Sequence, residues 1–335
     1  MKILIYSPAF YPSIGGLETV ISNLAHEFLT HNCQVKVVSQ TPAIDQKNFP
    51  FEVIRRPNAT QLLKLTRWCD LYFQACVSLK GLWPMLLLRK PLVVTHQTWY
   101  FDPKGRWIWQ ACLKNFISRF ATNISPSHAI AKQLPSPVTV IPNSYQDDIF
   151  YLRPEISRNK ELVFLGRLVS DKGADLLLDA LASLKKQGLQ PTLTIIGQGT
   201  EETKLRQQVE DLNLISQVNF VGVKQGQTLA ELLNAHQILV VPSRWQEPFG
   251  IVALEGIACG CVVVGSEQGG LKDAIGPCGV TFPNGDVEAL SQKIADLLNN
   301  PNQLLAYKAH AKIHLLKHTK GEVTKAYIKV FQEVI

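Results

Sequence analysis

Residues 161–188, ELVFLGRLVSDKGADLLLDALASLKKQG, decide the fold class. Glu161–Leu165 has the length and apolarity of a buried strand. A loop bounded by Gly166 and Gly173 follows. Ala174–Gln187 then reads as a helix that stops at Gly188. Strand, loop and helix in that order is the building unit of a parallel sheet, because parallel neighbours need a long crossover connection.

The same unit recurs on both sides. Downstream, strands are expected at Thr192–Ile196, Val218–Val221, Ile238–Val241, Val262–Val264 and Gly279–Phe282. Helices lie between them at Glu201–Asp211, Thr228–Asn234 and Gly250–Cys259, with Val287–Leu298 after the last. Upstream, strands are expected at Lys2–Ser7, Gln34–Ser39, Leu92–His96, Thr122–Ser125 and Val138–Ile141. Helices are expected at Leu17–Leu29, Trp107–Ala121 and Ser127–Gln133. The polar, irregular stretch from Pro142 to Pro154 interrupts the alternation and reads as a linker. At about 150 residues per domain, 335 residues suit two. The expectation is an α/β chain with two facing Rossmann-like domains. Residues 1–150 form the first and 155–310 the second, and helices over 311–335 return toward the first. Ligands of open parallel sheets collect at the carboxyl ends of the strands, which places the site in a deep cleft between the domains.

Composition narrows the class. Apolar residues make up 46% and charged residues 18%, enough for sizeable cores and against a disordered chain. No apolar run reaches the roughly 18 residues of a membrane span. Seven cysteines without a Cys-x-x-Cys pair suit buried, reduced thiols in a cytoplasmic protein. The net charge of +7 sits in the first half, with 15 Lys/Arg against 8 Asp/Glu over residues 1–150. Residues 55–119 hold 11 basic residues against Asp70 and Asp102. Trp68, Leu71, Tyr72, Phe73, Leu82, Trp83, Trp99, Tyr100, Phe101, Trp107 and Trp109 are mixed in. A basic, aromatic face suits an anionic membrane surface or a phosphate-bearing substrate. No nucleic-acid recognition motif accompanies it.

Three loops carry chemistry. Pro8 to Glu18 ends in Gly15-Gly16 at a helix start, where a phosphate can approach backbone N–H groups. It is not the dinucleotide Gly-x-Gly-x-x-Gly, and the second strand ends at Val38-Ser39-Gln40 without an acidic ribose residue, so a dehydrogenase is disfavoured. Gly166-Arg167-Leu168-Val169-Ser170-Asp171-Lys172-Gly173 sets two cations five residues apart, suited to a diphosphate but without P-loop spacing. Pro242 to Gly256 places Glu247 before a helix and Glu255 slightly over two turns further on. A carboxylate inside an apolar helix needs polar partners such as sugar hydroxyls.

Glu-x7-Glu in the form Glu-Pro-Phe-Gly-Ile-Val-Ala-Leu-Glu, with the upstream Gly-Arg-x4-Lys-Gly, resembles glycosyltransferase family 4, retaining enzymes of the GT-B fold. Gly15-Gly16 with Glu18, Thr95-His96, Ser125-x-Ser127, Val140-Ile141-Pro142-Asn143 and Gly269-Gly270 agree, in order along nearly the whole chain. The resemblance implies that Arg167, Lys172 and the backbone at Gly15, Gly16, Ile251 and Val252 bind a donor diphosphate. It implies that Glu247 accepts from donor-sugar hydroxyls, helped by the Phe249 and Gly250 amides. Glu255 would take the ribose diol, the Val223 main chain the base, and His96 a place near the sugar. Ser144 replaces the usual glycine after Asn143, and Leu17 stands where a glycine is customary. No Asp-x-Asp metal motif is present, since Asp147-Asp148 are adjacent.

The expectation is therefore a cytoplasmic, metal-independent, retaining transferase with no cofactor. It moves a hexose from a nucleotide-diphosphate sugar, UDP-glucose first, to a carbohydrate or lipid-linked acceptor in polysaccharide or glycolipid biosynthesis. Residues 55–119 would rest on the inner membrane face. The alternatives are a sugar-nucleotide epimerase or phosphorylase of the same fold, or a non-catalytic nucleotide-sugar-binding protein.

Overall fold

Thirteen strands form two parallel sheets in a computed structural model that describes residues 1–13, 15–42, 48–100 and 109–335. The first sheet holds β1 (Lys2–Ser7), β2 (Gln34–Ser39), β3 (Glu52–Arg55), β4 (Leu71–Ala75), β5 (Leu92–Thr95), β6 (Thr122–Ser125) and β7 (Val138–Val140). Its order is β3-β2-β1-β4-β5-β6-β7. The second holds β8 (Lys160–Leu165), β9 (Leu193–Ile196), β10 (Val218–Gly222), β11 (His236–Val241), β12 (Val262–Ser266) and β13 (Gly279–Phe282). Its order is β10-β9-β8-β11-β12-β13. Both sheets wind one way from their first strand and then reverse, so the switch points fall between β1 and β4 and between β8 and β11. Strands covered on both faces read as unbroken apolar runs, and Ile3 to Tyr6, Leu162 to Phe164 and Val262 to Val264 are buried throughout.

Two compact units result, one of residues 1–144 with 320–335 and one of 145–319. In the second unit, successive residues of β11 feed opposite faces of the sheet. Ile238 and Val240 pack with Leu177, Leu181 and Ile294, whereas Leu239 and Val241 pack with Leu254, Ile257 and Ala274. In the first unit the last helix, Lys320–Val334, lies against the helix Gly16–Thr30. Phe331 packs 5.3 Å from both Phe28 and Phe73, and the Tyr327 and Thr95 hydroxyls are 2.9 Å apart.

The aromatic stretch is where the sequence reading and the structure part. β3, β4 and the helix Ala59–Trp68 between them had no counterpart in the expected elements. Leu71, Tyr72 and Phe73 belong to β4 and are fully buried, and Leu82 and Trp99 are buried as well. Trp68, Trp83 and Tyr100 are half-buried. Phe101 and Trp107 lie outside the described residues. The exposed apolar face is narrower: Trp109 (68% exposed), Leu113, Phe116 (53%) and Phe120 (72%), along the helix Trp109–Ser118 and the turn after it. Of the seven cysteines six are buried, but Cys112 on this helix is exposed.

Candidate active site

β8 and β11 are hydrogen-bonded neighbours, so the loops that leave their carboxyl ends start side by side. The first loop is Gly166–Gly173 and the second Pro242–Gly250. Main-chain N–H groups of Arg244 and Trp245 donate to the Asp171 carbonyl at 2.9 and 3.2 Å. The Arg244 guanidinium adds a two-pronged pair with Asp175, both bonds 2.5 Å, and that partner holds its pKa above the usual arginine value. Gly173 has φ +68°, and a Cβ there would stand 2.0 Å from the Pro242 carbonyl oxygen. Only glycine permits this approach of the two loops.

Lys172 and Glu247 meet where the loops touch. Lys172 Nζ donates to Glu247 Oε1 at 2.5 Å, and Ser243 Oγ donates to the same oxygen at 2.7 Å. The Glu247 main chain bridges to Gly269, and its carbonyl accepts the Gly270 N–H at 2.7 Å. Glu247 Oε2 has no protein partner among the described residues, which leaves it to accept from a ligand hydroxyl. Arg167 is exposed, with its guanidinium unpaired among the described residues.

The helix Ile251–Ala258 follows directly. Gly250 caps it with φ +109° and no side-chain bond, so the first-turn N–H groups of Ile251 and Val252 have no intrahelical acceptor. They carry the positive end of the helix dipole, four and five residues after Glu247 in the chain. Phe249 is buried against this helix's cluster and lies 5.7 Å from the His318 ring. Glu255 is half-buried with no protein partner among the described residues, and burial pushes its carboxyl up to about 8. Val223 follows the edge strand β10 at the same carboxyl edge, 46% exposed, after Gly222 at φ +69°.

In the first unit, Gly15 and Gly16 start the helix that follows β1. Space around Gly16 is open, since a Cβ there would meet nothing within 4 Å, whereas one on Gly15 would lie 2.6 Å from Glu18 Oε2. His96 follows β5 and is fully buried. Its Nε2 lies 2.9 Å from Asn123 Oδ1, and its Nδ1 lies 3.0 Å from the Tyr100 hydroxyl, which also accepts the Val77 N–H at 2.8 Å. Asn123 Oδ1 can only accept, so Nε2 carries the proton and Nδ1 accepts from Tyr100. Burial pulls this imidazole down to about 4. With both ring nitrogens engaged, His96 is a strut between β5, β6 and the 97–100 segment, and the sugar-facing place expected of it finds no free nitrogen.

The structure thus joins Lys172 and Glu247 directly, and the helix start at Gly250, Ile251 and Val252 follows Glu247 within five residues. Arg167 stands on the same loop as Lys172, and Glu255 lies on the helix that follows. Sequence reasoning missed Ser243 and the Arg244–Asp175 clamp. Their signal was present in Ser243-Arg244, polar residues just past a buried strand at a switch point.

Two family models match nearly end to end: Glycosyltransferase Family 4 over residues 14–148 and Glycosyl transferases group 1 over residues 152–314. The chain belongs to these glycosyltransferases. Its sheets are those of the GT-B fold: Anabaena HepE, solved in complex with UDP, superposes with a TM-score of 0.85 at 20% identity, over 99% of this chain and 100% of that one. The same protein has been solved with UDP-glucose. Glycogen synthase of Mycobacterium tuberculosis is 36% identical over 143 residues, 42% of this glycosyltransferase and 34% of the synthase. The match thus spans about a third of that relative's length. A GDP-mannose-dependent monoacylated alpha-(1-6)-phosphatidylinositol monomannoside mannosyltransferase of Corynebacterium glutamicum is 26% identical over 96% of this chain and 95% of its own.

Proposed function

We propose that this glycosyltransferase moves a hexose, with retention, from a nucleoside-diphosphate sugar to an acceptor hydroxyl. The observation that carries the reading is the Lys172–Glu247 pair at the β8/β11 switch point, beside an uncapped helix start. As the bond from the anomeric carbon to the diphosphate breaks, its electron pair passes to a phosphate oxygen. Arg167, Lys172 and the Ile251 and Val252 amides face that charge. Glu247 Oε2 holds donor-sugar hydroxyls, while Oε1 stays bound to Lys172 and Ser243. Among the described residues no second carboxylate joins Glu247 at the Lys172 pair for a double displacement. The acceptor oxygen therefore attacks on the face the diphosphate leaves, and its proton goes to the leaving phosphate oxygen. The cations and helix start do the work without a metal, so turnover is expected to survive EDTA.

UDP-glucose is the proposed donor, supported by the HepE complexes and the glycogen synthase relative. Turnover with a donor panel tests it: transfer from GDP-mannose alone would replace this donor. Release of an altered donor sugar without transfer would mean an epimerase, and no turnover of any donor a binding protein. Retention is read from the anomeric configuration of the product by NMR.

A lipid-linked acceptor at the inner membrane face is supported by the exposed Trp109, Leu113, Phe116 and Phe120, with Lys114 and Arg119 beside them and the excess positive charge of residues 55–119. Among the described residues no helix is long and apolar enough to cross a membrane. Co-sedimentation with anionic but not with neutral vesicles is the expected result.

A further inference from the structure

The second unit carries a cavity of about 380 Å³ that the proposed transfer does not use. It lies at the other edge of the second sheet from the Lys172–Glu247 pair. Arg158 precedes β8, and Cys261 precedes β12, so this wall lies at the amino edge of the sheet, whereas Lys172 and Glu247 lie at its carboxyl edge. The helix Ile251–Ala258 separates the two, with Gly250 at the donor end and Ile257 and Ala258 lining the cavity. At 1.5 Å per residue its eight residues span about 12 Å.

The lining has two characters. Tyr145, Phe150, Ile257 and Leu315 form an apolar, partly aromatic wall. Arg158, Lys308 and Lys312 set three cations against it, and Asp147 is the one acid in the lining. Arg158 is fixed in place: one terminal nitrogen donates to the His236 carbonyl and the other to the Cys259 carbonyl at 2.7 Å. Those carbonyls orient the guanidinium without neutralising it. Gly260 keeps φ +85° beneath it, and a Cβ there would stand 2.6 Å from Arg158 Nη2. Neither Lys308 nor Lys312 has an ion-pair partner among the described residues. Burial and the neighbouring Arg158 together hold the Lys308 ammonium below the usual lysine range. Like charges gathered on a partly apolar pocket cost stability unless an anion joins them.

We propose that this cavity is a second ligand site, for an organic phosphate whose phosphate meets Arg158, Lys308 and Lys312 and whose apolar or aromatic body lies on Tyr145, Phe150 and Leu315. The volume is that of small-molecule sites, which combine an apolar lining with a few convergent polar groups. The ligand is a free phosphate ester or a lipid phosphate headgroup, which share this chemistry.

Calorimetric titration of the full chain tests the assignment, with phenyl phosphate, dihexanoyl phosphatidic acid and inorganic phosphate as probes. One saturable site is expected for at least one of the two esters, with inorganic phosphate bound at least tenfold more weakly. Whichever ester binds more tightly distinguishes the soluble from the lipid source. Lys308→Gln/Lys312→Gln should weaken the ester at least tenfold. Lys312→Glu, at an exposed position that leaves the fold intact, should do so at least threefold. Arg167→Ala, which disarms the donor site, should leave ester binding unchanged. The proposal is overturned if neither ester saturates, if the lysine variants bind as the parent does, or if Arg167→Ala abolishes binding. Failure here would leave the transferase reading untouched, since that reading is measured by turnover.

Discussion

Glu247 shows how one side chain divides its labour. One oxygen is committed to Lys172 and Ser243, and the other is left for a ligand. Truncating Lys172 to Ala releases Glu247 and, in the proposed transfer, removes a cation from the leaving group at once. Turnover should fall by about 2–4 kcal/mol of transition-state stabilisation, while unfolding by urea changes little. A variant with parental kcat would sink this role. Glu255 makes a pH-dependent prediction. Its carboxyl sits at about 8 in the fold and near 4.5 in the unfolded chain. Between those values the folded state holds the extra proton, so stability is lost as pH rises through the window. Glu255→Gln should therefore raise the melting temperature over the parent at pH 9 and leave it nearly equal at pH 5; an offset independent of pH would show the carboxyl to be solvated. Spacing was enough to single out Glu247, Glu255, Arg167 and Lys172 as candidates. The pairing was not legible, because 75 residues separate Lys172 from Glu247 and only strand order brings them together.

At the scale of elements, loops rather than strands set the geometry. Gly173 and Gly16 make opposite predictions. Gly173→Ala drives a methyl into the Pro242 carbonyl at a left-handed φ, which should cost about 2 kcal/mol or more in urea unfolding and lower activity by separating the loops. Gly16→Ala meets nothing within 4 Å and lies in the first turn of a helix, so the melting temperature should hold or rise. If that open space takes a donor phosphate, as the family resemblance implies, the added methyl should raise KM for the donor; an unchanged KM would remove Gly16 from the proposed donor residues. Most strands could be read from the sequence because they are apolar on both faces. β4 escaped since Leu71-Tyr72-Phe73 follows Asp70 with no glycine or proline to mark its start, and its aromatics resembled a surface patch. β3 is four residues at a sheet edge, too short for a periodic signal. His96 was visible as a residue, but its two partners, four and 27 residues away, were not.

Across the whole molecule, each unit buries a neutral imidazole. His96 in the first and His236 in the second are both pulled down by burial to about 4. The unfolded chain binds the extra proton between that value and its own, near 6.5, so stability is lost as pH falls through this range. The slope is about 1.4 kcal/mol per pH unit for each ring. His236 Nδ1 donates to the Leu232 carbonyl and its Nε2 accepts from the Thr194 hydroxyl, and replacing the ring with Asn should flatten the acid limb of the second unit's transition while lowering its stability at pH 7. Phe331, at the far end of the sequence, packs on Phe28 and Phe73 in the first unit's core. Phe331→Ala should cost about 3–5 kcal/mol in that unit's unfolding, read by urea titration; a loss confined to the second unit would contradict the packing described.

The last helix also bears on how the protein is made. The first 144 residues leave the ribosome long before residues 320–335, yet they share a core with them. Until Phe331 has been added, Phe28 and Phe73 lack its cover, so the first unit waits, with an apolar seam open, while the intervening 145–319 unit can close on its own residues. Synthesis order and folding order are therefore inverted between the two units: the one begun earlier is completed later.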